Sequence, residues 1–177
     1  MKRSITLLIG ILTLCGIGLI ASSAVAIDGP LASATISFGQ RQTDHVPPLD
    51  RITTPDLAMG AGVNDELIPD IVTIKAGGSV NFIIAGLHNP TVYDDGTQPG
   101  DISTASPLPG AAGGIINDPN HRLYRGLDPN VATNPRDRVE VVQFAKPGTY
   151  LVICGVFNHF VNSNMFGFVK VLPGSGK

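Results

Sequence analysis

The sequence predicts an all-β domain, a sandwich or a barrel, and two observations carry that prediction. After residue 26 no stretch keeps helical periodicity for more than two turns. Short runs of branched and aromatic residues alternate instead with clusters of Gly, Pro, Asn and Asp, at the spacing of strands joined by turns. The chain has 21 Gly and 14 Pro in 177 residues, so turn signals are available throughout.

The N-terminus stands apart from that pattern. Lys2 and Arg3 precede an uncharged run, Ile5 to Ile20, and then Ala24-Val25-Ala26. A basic start, an apolar stretch and a small-residue tail predict a signal peptide over residues 1–26, cleaved after Ala26. The alternative is an uncleaved anchor, because Ile5 to Ala26 is 22 residues and about 20 span a bilayer. Cys15 lies in this run and follows Leu-Thr-Leu, which does not resemble a lipid-acceptor site. Cleavage leaves Cys154 as the sole cysteine, so a disulfide within the mature chain is excluded. Cys154 is then a free thiol, an intermolecular partner or a ligand. Loss of Lys2 and Arg3 moves the formal charge from −2 to −4. Such a mildly acidic chain gives no reason to expect nucleic acid or an anionic lipid surface.

Residues 27–65 read as an N-terminal arm with one or two strands, of which Ala34-Thr-Ile-Ser-Phe38 is the clearest. A second unit, 66–177, begins with Ile71-Val-Thr-Ile-Lys75 and Ser79-Val-Asn-Phe-Ile-Ile-Ala85, two strands about an Ala-Gly-Gly turn. In the second of these Val80, Phe82 and Ile84 share a face and Asn81 lies opposite, the alternation of a half-buried strand. Residues 92–137 are rich in turn dipeptides (Asp95-Gly, Pro99-Gly, Asp118-Pro, Asp128-Pro) and read as one long loop, with a short helical turn at His121–Tyr124. Strands return at Val139–Phe144, Thr149–Cys154 and Phe166–Leu172, the first two separated by Lys146-Pro-Gly.

Chemistry concentrates where the strand ending at Cys154 gives way to a loop. That stretch reads Cys154-Gly-Val-Phe-Asn-His159-Phe-Val-Asn-Ser-Asn-Met165, and upstream stands Gly-Leu-His88-Asn89-Pro. Each residue alone has an ordinary explanation, since free Cys and Met both pack readily in cores. Together, in a chain with four His and three Met, they assemble a thiolate, two imidazoles and a thioether, the donor set suited to one copper ion in either oxidation state. Asn89 stands beside His88, where it can orient the ligand loop by hydrogen bonding. His45 and His121 lack a second donor at metal spacing and read as solvated surface residues.

The C-terminal part resembles the cupredoxins, the type 1 blue-copper proteins such as plastocyanin, azurin and rusticyanin. The matching pieces are Val72–Phe82, His88-Asn89, Pro147-Gly-Thr-Tyr-Leu-Val-Ile-Cys154, His159 and Met165-Phe-Gly-Phe-Val-Lys-Val171. The resemblance implies a Greek-key β-sandwich holding one copper at one end, with His88, Cys154 and His159 as strong ligands and Met165 as the weak axial one. It covers residues 66–172 apart from the 92–137 loop. One departure stands out: five residues, 160–164, separate His159 from Met165, where the family usually has fewer. The axial position is therefore open to Met165, a backbone carbonyl, Asn162 or Asn164.

The resemblance implies an exported one-electron carrier, of the periplasm or cell exterior, that meets redox proteins by transient contact. Phe157, Phe160 and Phe166 flank the loop and are the expected contact patch, with Phe157 or Phe160 outermost and the edge of His159 as the electron port. Membrane attachment is expected only if the N-terminal segment is retained. Two other functions compete: a mononuclear copper enzyme, which needs an open coordination position, and a copper storage or delivery protein, which usually has exposed Met- and His-rich tracts.

Overall fold

The structure is a computed structural model, and it describes residues 31–39 and 65–174. The expected signal peptide, His45 and most of the 27–65 arm lie outside those residues. Among the described residues no helix is long and apolar enough to cross a membrane.

Eight strands account for just under half of the described residues: β1 Leu31–Phe38, β2 Leu67–Ile68, β3 Ile71–Ile84, β4 Pro90–Asp95, β5 Arg122–Arg125, β6 Arg138–Phe144, β7 Gly148–Cys154 and β8 Phe166–Leu172. One short helix, α1, spans Phe157–Val161. The strands form one mixed hydrogen-bonded sheet in the order β2-β1-β3-β8-β7-β4-β5, with β6 on β3.

Strand β3 turns this sheet into a sandwich. Its first half runs parallel to β8, from Ile71 opposite Phe168 to Lys75 opposite Leu172. Its second half pairs antiparallel with β6 and parallel with β1. The Ala76-Gly77-Gly78 break, expected as a turn between two strands, is instead the point where one continuous strand exchanges partners. β1 runs beside both halves, with Leu31 opposite Ile74 and Ser33 opposite Ser79 across a register shift, and passes so close that a Cβ at Gly78 would strike the Ala32 carbonyl.

The two leaves face each other through alternate residues. Ile36, Phe38, Val80, Phe82, Ile84 and Phe144 from one leaf join Val92, Val152, Cys154, Val169 and Val171 from the other in a single buried cluster. Each such aliphatic or aromatic side chain contributes about 1.5–3 kcal/mol by leaving water. The arm's one described strand, β1, is part of this core rather than an appendage, with Ile36 and Phe38 fully buried.

Strand β7 is apolar on both faces, and the reason is a second cluster. Leu151 and Ile153 point away from the sandwich interior and join Tyr93, Ile102, Ile116 and Phe160. Ile102 and Ile116 come from the 96–121 connection and Phe160 from α1, so these segments roof the outer face of β7. Two expectations for 92–137 are corrected here. Its first residues, Val92–Asp95, belong to β4, held between β7 and β5. Arg122–Arg125 is strand β5, not a helical turn: His121 has φ +57, which a right-handed helix does not accept, and Arg122-Leu-Tyr-Arg alternates with period two against β4.

Candidate metal centre

Cys154 is the last residue of β7 on the inward face, and its side chain is wholly buried. The chain turns at Gly155-Val156 directly into α1, and so His159 swings back over the strand end. The loop closes on itself through two backbone bonds: Cys154 N–H donates to Met165 O at 2.9 Å, and Met165 N–H donates to His159 O at 3.0 Å. His88 arrives from the β3–β4 turn. Its carbonyl accepts from the Arg138 guanidinium at 3.1 Å, and the Gly86 N–H just before it donates to Asp137 Oδ1.

Three donor atoms converge. Cys154 Sγ lies 3.5 Å from His88 Nδ1 and 3.7 Å from His159 Nδ1. The two Nδ1 atoms are 3.0 Å apart. Zinc-like bond lengths, about 2.3 Å to sulfur and about 2.0–2.1 Å to nitrogen, set such donors roughly 3.3–3.8 Å apart at tetrahedral angles. The observed triangle has that size, with its nitrogen–nitrogen edge slightly shorter. Among the described residues these are the one group of His, Cys, Asp and Glu donors close enough to share an ion.

The electrostatics also call for a cation. Burial pushes the Cys154 thiol up to about 12; the backbone amides of Asn89 and Val156 pull the other way, and Asp65 adds to the rise. A thiolate at this position needs a positive charge in contact, and a coordinating thiol is deprotonated outright. Burial lowers the His159 pKa, opposed by Asp65, which favours the neutral imidazole with a free lone pair. The residues present therefore fit a soft, thiophilic metal ion.

Support comes from several directions. Asn89 is fully buried. Its side-chain amide donates to the Gly126 and Leu127 carbonyls at 2.8 and 2.9 Å, and its Oδ1 accepts from Thr91. Its own carbonyl accepts from Gly155 N–H at 2.6 Å. Asn89 thus joins both ligand-bearing segments to the 126–127 turn. Gly39, at the end of β1, has φ +75, and a Cβ there would sit 2.9 Å from His88 Nε2. The His88 ring needs a residue without a side chain at that point.

One supporting network escapes a motif-based reading. Glu140, 8% exposed, accepts from Tyr124 Oη, Leu127 N and Arg138 Nε. Arg138 in turn holds the His88 and Leu127 carbonyls. The signal was present in period two: along β6, Glu140 shares a face with Val142 and Phe144 and so had to be buried. Asp65 was also missed; its Oδ1 lies 3.6 Å from His159 Nδ1, and a lone Asp before a short strand carries no motif.

The remaining expected residues distribute as follows. Met165 is 1% exposed and belongs to the same buried cluster as Cys154, whereas Asn162 and Asn164 are exposed. His121 is exposed, as expected. The three phenylalanines of the expected contact patch also pack against the outer face of the sheet. Phe160 is 8% exposed, and Phe157 and Phe166 are half-buried against the second cluster. The outer face of β7 and β8 is apolar and needs a cover, so these rings close a core first. Val161, in the helix that carries His159, and Leu127, whose carbonyl accepts from Asn89, are exposed apolar residues.

No protein-family model matches the chain, and no curated protein matches it. Similar solved structures do exist. A dithionite-reduced auracyanin from Roseiflexus castenholzii is 16% identical, aligned over 82% of this chain and 100% of its own, with a TM-score of 0.48. Auracyanin A from Chloroflexus aurantiacus, described as a blue copper protein, is 21% identical over 60% of this chain and 89% of its own, with a TM-score of 0.41. A pseudoazurin from Sinorhizobium meliltoi is 14% identical over 81% and 76%, with a TM-score of 0.40.

Proposed function

We propose that the chain is an exported type 1 copper protein that carries single electrons between redox partners. The observation that carries this reading is the convergence of one Sγ and two Nδ1 atoms, 3.0–3.7 Å apart, inside the mouth of a β-sandwich. Bound copper supplies a one-electron couple, and a thiolate with two imidazoles serves both of its oxidation states.

The chain's own residues account for the rest. His88 and Cys154 come from different strand connections, and the Asn89, Arg138 and Glu140 bonds hold those connections in one arrangement. Ligands so constrained change little as the charge of the site changes, which is what rapid electron exchange requires. Met165 would complete the set as a weak thioether donor; its burial and its backbone bonds to both Cys154 and His159 support that role. The site is also asymmetric: the His88 residue is 2% exposed and Cys154 0%, whereas the His159 side chain is 12% exposed. His159 is the electron port on this reading, and Val161 and Leu127 give a partner a small apolar landing beside it. Export rests on the Lys2-Arg3 start, the apolar run and the Ala24-Val25-Ala26 tail.

The test is a spectrum of the copper-loaded chain. An intense thiolate-to-copper band in the visible, with narrow copper hyperfine splitting in electron spin resonance, is the expected result. A pale complex with wide splitting and exchangeable water overturns the carrier reading.

A further inference from the structure

Asp65, whose side chain is 17% exposed, is held against the edge of the site. Its Oδ1 is buried and has no hydrogen-bond partner among the described residues, and it lies 3.6 Å from His159 Nδ1. Its Oδ2 accepts from the Ser163 hydroxyl at 3.0 Å. A buried, unsatisfied carboxylate oxygen is costly unless a positive charge compensates it. Asp65 falls outside the three donors that all lie within 4.8 Å of one another, so it stands beside the triad rather than within it.

The long interval between His159 and Met165 acquires a purpose from this contact. Residues 161–164 form an exposed excursion, in which Asn164 takes φ +51. That excursion carries Ser163 across to the segment before β2, where it pins one oxygen of Asp65 and leaves the other aimed at the site.

Building on the copper reading, we propose that Asp65 is a charged neighbour of the metal centre that favours the divalent over the monovalent ion. The charge count gives the direction. With the Cys154 thiolate and the Asp65 carboxylate together, a divalent ion leaves the site neutral, whereas a monovalent ion leaves one uncompensated negative charge in a largely buried volume. Asp65 thereby lowers the reduction potential and acts on the ion through His159's side of the site.

The experiment is potentiometry of the copper-loaded full chain and its Asp65→Asn, Ser163→Ala and Asp70→Asn variants, with the visible band recorded for each. Asp65→Asn preserves shape and removes charge. It is expected to keep the band and shift the Cu(II)/Cu(I) balance about tenfold toward Cu(I), in the range of groups that support metal ligands; for a one-electron couple that is a rise of about 59 mV. Ser163→Ala, at an exposed position, is expected to give a smaller rise, and it carries the test should Asp65→Asn fold poorly. Asp70→Asn removes an exposed carboxylate of the same segment and is expected to leave the potential unchanged. An unaltered or lowered potential in the Asp65 and Ser163 variants overturns the inference, as does an equal rise in Asp70→Asn, which would make the effect one of net charge. Absence of the band from the unaltered chain instead refutes the copper reading on which the inference stands.

Discussion

Replacing Glu140 by Leu tests whether the sandwich wall and the metal site share one support. The side chains of Glu140 and Arg138 are only 7% and 6% exposed, and Glu140 accepts from three donors, Tyr124 Oη, Leu127 N and Arg138 Nε. Removing the carboxylate leaves a guanidinium buried without its counter-charge, a loss of about 3–5 kcal/mol when one partner of a buried pair is deleted. In a domain of this size that corresponds to a fall in Tm of roughly 10–20 °C. The double variant Glu140→Leu/Arg138→Met removes both charges. It is expected to recover much of the loss, because an apolar pair of similar volume often replaces a buried ion pair without net cost. Its copper affinity should stay low, however, since the His88 and Leu127 carbonyls lose the Arg138 donor. Thermal melts of metal-free and copper-loaded protein separate the two effects through ligand linkage. A loss under about 1 kcal/mol for Glu140→Leu, a value typical of an exposed pair, or a double variant that is simply additive, refutes the reasoning.

Three further outcomes follow from the site. Gly39→Ala places a methyl 2.9 Å from His88 Nε2 in a residue with φ +75; it should cost about 1–2 kcal/mol in backbone strain and weaken copper binding, and equal copper affinity in a competition titration would contradict it. Cys154→Ser should abolish the visible band while the β-sheet circular dichroism persists, because the sandwich interior stays apolar without the sulfur; retained colour would contradict the ligand assignment. Met165→Leu should keep colour and raise the potential, since an apolar axial position disfavours Cu(II); an unchanged potential would assign the axial position to another group.

The sequence was most informative where one strand's pattern was enough. The strands at 139–144, 149–154 and 166–172 were legible because each carries its own alternation or apolar run between Gly and Pro signals. Cys154 and His159 were legible as a pair because they sit five residues apart where a strand gives way to a loop, and the structure brings His88 to them. What escaped depended on partners distant in sequence. Val92–Asp95 becomes a strand by pairing with β7 and with Arg122–Arg125, which itself pairs with β4, and nothing in Arg122-Leu-Tyr-Arg alone distinguishes a strand from a turn. The Gly-rich break in β3 looked like a hairpin because its continuity depends on β1 and β8. The packing of Phe160 depends on the second apolar face of β7, which requires a roof. Asp65 touches the site across 94 residues of chain, and its role is visible only as a distance to His159.

Copper X-ray absorption on the loaded chain reports which atoms hold the metal. One short sulfur and two imidazole nitrogens around a single copper per chain is the result expected. A coordination shell of nitrogen and oxygen alone, with the Cys154 thiol still open to alkylation, would contradict it.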